Sequence, residues 1–486
     1  MQAIVIGAGI AGLAMSVRLR VRGFDVTVLE ANSYTGGKLT SFSQDGFRFD
    51  AGPSLFTNPR YVEELFQLAG KPTESYFQYK RLPTLCHYFY EDGTFLPADS
   101  QVEVFSEQLK TAFGEDPSSI MSFLQHNAWA YNITEPLFIR GALHRLKSYL
   151  TIATLKGVFA IPRLHLFSTM HEVNSRTFKD PRTVQLFNRF ATYNGSSPYL
   201  APGLMNVIPH LEHGIGAFFP VGGMHAISQS IYRLATDLGV KFELQTPVSR
   251  ILHSRSQVYG VVAATKTYKA DVVVSNQDVV GTYKHLLPDF SAPEKLLKQP
   301  RSSSALIFYW GIQGQFDQLG LHNIFFTENY QEEFKHIFKL ASVYHDPTVY
   351  INITSKEKPD DAPVGCENWF VMINVPHHIG QDWDTIIPEA RKNILQKLSK
   401  RLGRTIESLI VTEQILEPRT IEQRTSSVGG SLYGNSSNNR YAAFLRHANE
   451  SRKLKGLYFV GGSVHPGGGI PLALSSAAIA DSLIEN

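Results

Sequence analysis

The chain has 486 residues, room for two or three domains' worth of core, and its 46 basic and 43 acidic residues leave a formal charge of only +3. That balance, with no arginine stripe interleaved with stacking aromatics, excludes a general nucleic-acid binder. Two cysteines, Cys86 and Cys366, exclude a disulfide framework, a CxxC pair and a thiolate metal site, and they fit a reducing, cytoplasmic compartment. The first predicted strand, Ala3 to Ile6, starts so early that no cleavable leader is expected. It runs directly into Gly7, Gly9 and Gly12. The first glycine permits a tight turn, the second lets a pyrophosphate approach the backbone, and the third lets the next helix pack closely on the strand. Ile10 and Ala11 open that helix, whose free N–H groups and dipole favour phosphate. Leu13, Val17 and Leu19 give it an apolar face, and Gly23 ends it. Asp25 to Leu29 follows as a second strand closed by Glu30 and Ala31. An acid at that point accepts hydrogen bonds from ribose hydroxyls and repels a 2'-phosphate. Strand, turn, helix, strand and acid in register, followed by Gly36, Gly37 and Lys38, predict a site for the ADP half of FAD.

Further along, Pro136 to Met170 contains no Asp or Glu but carries Arg140, Arg145, Lys147, Lys156 and Arg163 among apolar residues. This composition suits a surface lying on an anionic bilayer with snorkelling basic side chains, and equally a helical pair with a solvated basic face. No apolar run is long enough to span a bilayer. From Phe219 the chain returns to the nucleotide unit through a glycine turn, an amphipathic helix ending near Gly239, and strands around Val240 to Ile251, Val258 to Ala263 and Asp271 to Ser275. A last return is the strand Gly456 to Val460, then Gly461 and Gly462, then Gly469, Ile470, Pro471 and Leu472 opening a helix near Pro471. The expected fold class is α/β: a Rossmann-like FAD-binding domain of residues 1–69, 219–290 and 446–486, with an interleaved mixed α+β domain of 70–218 and 291–445. The second domain is rich in aromatics such as Phe187, Phe190, Tyr193, Trp310 and Trp369, a composition shared by an ordinary core and a long apolar tunnel.

These three returns together resemble the flavin-dependent carotenoid desaturases of the phytoene desaturase type, within the amine oxidase superfamily. The resemblance spans the chain and rests on Gly36-Gly37-Lys38, on DAGPSLF at Asp50 to Phe56, on FPVGGM at Phe219 to Met224, and on GGSVHPGGGIP at Gly461 to Pro471. Arg189 to Glu212 and Arg424 to Arg446 look like a narrower branch, the 1-hydroxycarotenoid 3,4-desaturases. The resemblance implies FAD contacts from Gly52, Pro53, Ser54 and Val248, with Asp50 positioning the Gly52-Pro53 turn. It also implies a hydrophobic carotenoid substrate such as 1'-hydroxy-gamma-carotene, hydride transfer to the flavin, and oxygen or a quinone as final electron acceptor. Asn438 and Asn439 are candidates to meet the substrate hydroxyl, or else belong to a surface loop. His465 is the candidate for proton handling, or else ties its loop together. Peripheral attachment to the membrane surface through residues 136–170 follows from so apolar a substrate. No metal site is expected, since HExxH and similar ligand clusters are absent from the sequence. Phytoene desaturation, carotenoid oxygenation and polyene isomerisation are the alternative activities on this scaffold; a non-enzymatic isoprenoid carrier is disfavoured by the intact glycine loops.

Overall fold

The computed structural model describes residues 1–145 and 152–485, so Lys147 of the basic segment lies outside the described residues. The strand Gln2–Ile6 is the centre of a five-stranded, all-parallel sheet in the order Lys241–Glu243, Asp25–Leu29, Gln2–Ile6, Val272–Ser275, Leu457–Phe459. Parallel strands covered on both faces require continuous apolar runs, and Ala3–Ile6 and Val272–Val274 are buried throughout. Ala3, Val5 and Val274 face the helices Ile10–Val21, His225–Asp237 and Ile470–Leu483, which meet them through Leu13, Val17, Ile227, Ile231 and Ala477. Ile4, Ile6 and Val273 face a three-stranded antiparallel sheet, Val248–His253, Val258–Ala263 and Lys266–Lys269. The last helix starts one residue before the expected Pro471, with the proline inside its first turn, where a missing N–H costs nothing.

A second, mixed sheet of seven strands runs in the order Ile410–Leu416, Ser304–Gln313, Cys366–Val375, Val349–Asn352, His322–Phe325, Thr84–Phe89, Phe95–Asp99. The period-two alternation of its strands divides their side chains between two faces. Leu306, Phe308, Trp310, Trp369, Val371, Ile373, Val349 and Ile351 pack against the helix Trp383–Leu402 through Ala390, Ile394 and Leu398. Each such side chain taken out of water contributes about 1.5–3 kcal/mol. The opposite face presents Ile307, His322, Ile324, Tyr350, Phe370, Met372 and Asn374 to a cavity.

The hairpin Ser41–Gln44 and Phe47–Asp50 joins the two sheets. Asp50 ends it and caps the helix that follows Gly223, accepting from Met224 N at 2.8 Å and His225 N at 3.2 Å. Arg48 bridges Asp50 at 2.8 Å and Asp361 at 3.1 Å. The turn Ala51–Ser54 is thereby fixed between the parallel sheet and the mixed sheet.

Candidate active site

One cavity of about 1450 Å³ runs from the carboxyl ends of the parallel strands to the open face of the mixed sheet. Every cofactor position picked from the sequence lines it except Gly12: Gly7, Gly9, Ile10, Ala11, Glu30, Ala31, Gly36, Gly37, Lys38, Gly52, Pro53, Ser54, Val248, Gly461, Gly462, Gly469, Ile470, Pro471 and Leu472. Gly12 instead serves the packing behind the loop. A Cβ there would stand 2.1 Å from the Gly7 carbonyl oxygen. Two helix N-termini open into this end, and their N-cap residues, Gly9 and Gly469, supply no side-chain cap. Their free N–H groups and dipoles make both ends receptive to negative charge.

The loops around this end hold one another. Gly36 N donates to Ala8 O at 2.8 Å, joining the second glycine pair to the first loop. Glu30 is buried, with one carboxylate oxygen accepting from Ala8 N at 2.6 Å and the other from Asn32 N at 2.8 Å and Asn32 Nδ2 at 2.9 Å. Fixed in this way, it keeps lone pairs for hydroxyl donors. The Thr246-Pro247-Val248 segment lies alongside, since Thr246 N donates to Glu30 O at 2.7 Å. Lys38 Nζ donates to the carbonyls of Ser431 and Leu432 at 3.1 and 3.0 Å, and burial pushes its pKa down to about 8. Asn276, at the end of the strand Val272–Ser275, also lines the cavity and was missed from the sequence. Its Oδ1 accepts from Gly12 N at 3.0 Å and its Nδ2 donates to Val460 O at 3.3 Å, tying the first, middle and last returns together. Its place just beyond the carboxyl end of a parallel strand was the signal that could have found it. A helix N-terminus beside glycines, a buried carboxylate and a second uncapped helix at the far side fit the phosphates, ribose and ring of a flavin dinucleotide.

Beyond Ser54 the wall turns apolar, and sequence reasoning missed what lies deepest. Arg189 is buried, donating to Tyr193 Oη at 2.9 Å, Tyr88 Oη at 2.7 Å and Glu212 at 3.2 Å, while the Tyr193 hydroxyl donates to the other Glu212 oxygen. Burial pushes the Cys86 thiol up to about 12 and the Tyr350 phenol up as well; burial and the Arg189 charge push His322 down to about 3. These groups hold one protonation state at neutral pH.

His465 does not line the cavity. It is buried, its Nε2 donates to Gly141 O at 2.9 Å, its ring meets His144 edge-on at 5.6 Å, and burial pushes its pKa down to about 4. Asn438 accepts from Ser197 N at 2.7 Å and also stays out of the cavity, whereas Asn439 lines it while accepting from Tyr441 N at 2.8 Å. The cavity opens between this segment and residues 154–167, where Val158, Ile161 and Phe167 line it and are exposed. Phe159 and Phe167 are 77% and 78% exposed, and Leu155 and Val158 are exposed beside them. The basic residues here are less free than their composition suggests: Arg140 pairs with Glu64 and Glu135, Arg145 with Glu450, and Arg163 lies over the Trp129 ring. Lys156 is exposed. Among the described residues, no cluster of His, Cys, Asp or Glu is arranged to hold a metal ion, and no helix is long and apolar enough to cross a membrane.

Residues 10–480 match the flavin containing amine oxidoreductases. The chain belongs to this family. It is a flavin-dependent oxidoreductase. Within curated relatives, the chain is 51% identical over 485 residues to a 1-hydroxycarotenoid 3,4-desaturase of Flavobacterium sp. (strain P99-3), covering 100% of this chain and 99% of that one. It is 32% identical to a 4,4'-diapolycopene oxygenase of Methylomonas sp, covering 99% and 97%. Among solved structures, an oxidoreductase from Methanosarcina mazei superposes with a TM-score of 0.64 at 16% identity, covering 98% of this chain and 99% of that one, which places the two in one fold.

Proposed function

We propose that this protein is an FAD-dependent carotenoid desaturase that introduces the 3,4 double bond of a 1-hydroxycarotenoid such as 1'-hydroxy-gamma-carotene. The observation that carries this reading is the continuity of the cavity: the glycine loops at one end open directly onto an apolar sheet face within the same space of about 1450 Å³. The full-length similarity to a 1-hydroxycarotenoid 3,4-desaturase selects the bond and the substrate class. Gly7, Gly9, Ile10, Ala11 and the uncapped helix behind them would hold the pyrophosphate, Glu30 the ribose, Val248 the adenine side, and Gly469 to Leu472 the ring. FAD bound there supplies the hydride acceptor. The chain's own residues position the polyene against Ile307, Ile324, Phe370 and Met372, exclude water, and hold the reacting end in place. Cys86, Tyr350 and His322 each hold one protonation state near neutral pH, and the proton beside an allylic cation departs to a weak acceptor.

In this reading the cofactor domain comprises 1–69, 219–290 and 446–486, and 70–218 with 291–445 form the substrate domain. The exposed apolar rim of the mouth rests on the membrane surface, where the substrate is dissolved, and oxygen or a membrane quinone is the final electron acceptor. His465 holds the loop before Gly467 in place, and Asn439 meets the substrate near the mouth. The test is anaerobic mixing of FAD-loaded protein with liposomes carrying 1'-hydroxy-gamma-carotene while flavin and polyene absorption are followed together. Bleaching of the flavin band with a red shift of the polyene is expected. Reaction with phytoene or a diapocarotenoid instead would replace the substrate, and no response to any carotenoid would overturn the reading.

A further inference from the structure

The deep wall of the cavity carries a hydrogen-bond donor that nothing in the protein uses. His322 opens the strand His322–Phe325, is 4% exposed, and lines the cavity beside Ile324, Tyr350 and Met372. Its Nδ1 lies 2.8 Å from the Tyr350 hydroxyl and 3.2 Å from Asn352 Nδ2. Asn352 Nδ2 also donates to Leu321 O at 3.1 Å, which fixes the orientation of that amide, so His322 Nδ1 accepts. A neutral imidazole that accepts at Nδ1 carries its proton on Nε2. Nε2 has no hydrogen-bond partner. A buried donor left unmade is costly, and an unpartnered polar group in a ligand cavity is what a ligand's polar atom would satisfy. The described residues lining the same cavity hold three further unpartnered polar atoms, Arg189 Nε, Asn194 Oδ1 and Arg446 Nη1, but of the donors only His322 stands on the sheet face beside Ile324, Tyr350 and Met372. His213 is also buried without partners, but it stacks on Phe105 and does not line the cavity.

The position of His322 fits a particular atom. The Tyr350 hydroxyl that meets its Nδ1 shares the cavity with Ser54, next to the Gly52-Pro53 turn of the cofactor end. In a 1-hydroxycarotenoid the hydroxyl-bearing carbon is two bonds from the nearer carbon of the 3,4 bond. The wall that faces the reacting bond therefore also faces the hydroxyl, and His322 and Ser54 line the same cavity as the cofactor loops.

We propose that His322 is the specificity determinant for the substrate's tertiary hydroxyl, donating from Nε2–H to its oxygen. The inference rests on the desaturase reading above.

Equilibrium binding separates the two claims. FAD-loaded protein is titrated with liposomes carrying a 1-hydroxycarotenoid or the matched carotenoid lacking the hydroxyl, with quenching of intrinsic fluorescence by the polyene as the readout. The wild-type protein is expected to prefer the hydroxylated ligand by roughly tenfold or more. His322→Leu should bring the ratio of affinities close to one, and His322→Gln, which keeps an N–H, should retain part of the preference. Flavin absorbance of each purified variant reports that it has folded. Retention of the full preference by His322→Leu would overturn the inference, as would a wild-type protein that binds and desaturates both carotenoids equally, while leaving the desaturase reading intact. Failure of the wild-type protein to bind either carotenoid would remove the desaturase reading and the inference with it.

Discussion

At Gly12 the room for a side chain is decided by backbone alone. A Cβ would stand 2.1 Å from Gly7 O and 3.0 Å from Asn276 Oδ1, and neither can retreat without moving the turn that lines the cavity. Gly12→Ala is therefore expected to cost both stability and flavin. The purified variant should show a flavin-to-protein absorbance ratio reduced by tenfold or more, taking about 1.4 kcal/mol per factor of ten as the scale for so close a clash. A variant that keeps its full flavin content would show that the turn is more pliable than its contacts imply. The glycine spacing was legible in the sequence because all its consequences are local. Asn276 was not legible as a partner, because it meets Gly12 across a separation of 264 residues.

The elements are held in register by a few charged caps. The helix His225–Asp237 has no side-chain cap of its own at Met224 and takes Asp50 from another part of the chain. Asp50→Ala would leave two N–H groups and Arg48 without that carboxylate. A loss of about 1–3 kcal/mol is expected in denaturant unfolding, with the flavin released at lower denaturant than in the wild-type protein. Unchanged unfolding would mean that Asp361 alone satisfies Arg48 and that water replaces the cap. The sequence led to Asp50 as a structural residue near the Gly52-Pro53 turn; the partner it caps depended on how the hairpin Phe47–Asp50 docks. His465 illustrates the same limit. Pro466 and Gly468 of its loop line the cavity, but the ring turns to Gly141 O.

For the whole molecule, the mouth of the cavity and the exposed apolar rim coincide. Burial of a phenylalanine in the headgroup boundary contributes about 1.5–3 kcal/mol at most. Phe159→Ser with Phe167→Ser should lower co-sedimentation with liposomes by at least tenfold while flavin content stays unchanged. Because Arg140 and Arg145 are committed to Glu64, Glu135 and Glu450, the binding should weaken only slightly as salt is raised or anionic lipid is removed. A steep salt dependence would instead return the leading role to the basic side chains that the composition of residues 136–170 suggested.

The sequence by itself determined the first strand–turn–helix–strand unit, since a strand, three glycines, a helix and an acid are adjacent in the chain and their geometry follows from short-range backbone sterics and hydrogen bonding. It also determined that the chain would return to that unit twice more. What only the tertiary structure decided is the other half of the cavity. The mixed sheet draws His322, Tyr350 and Met372 from three strands onto one face, while Arg189 and Glu212 arrive from helical segments beside it. The face on which a strand residue lands depends on register and docking, and the polarity of a cavity wall depends on which buried groups find partners. Neither is encoded in any single stretch of sequence.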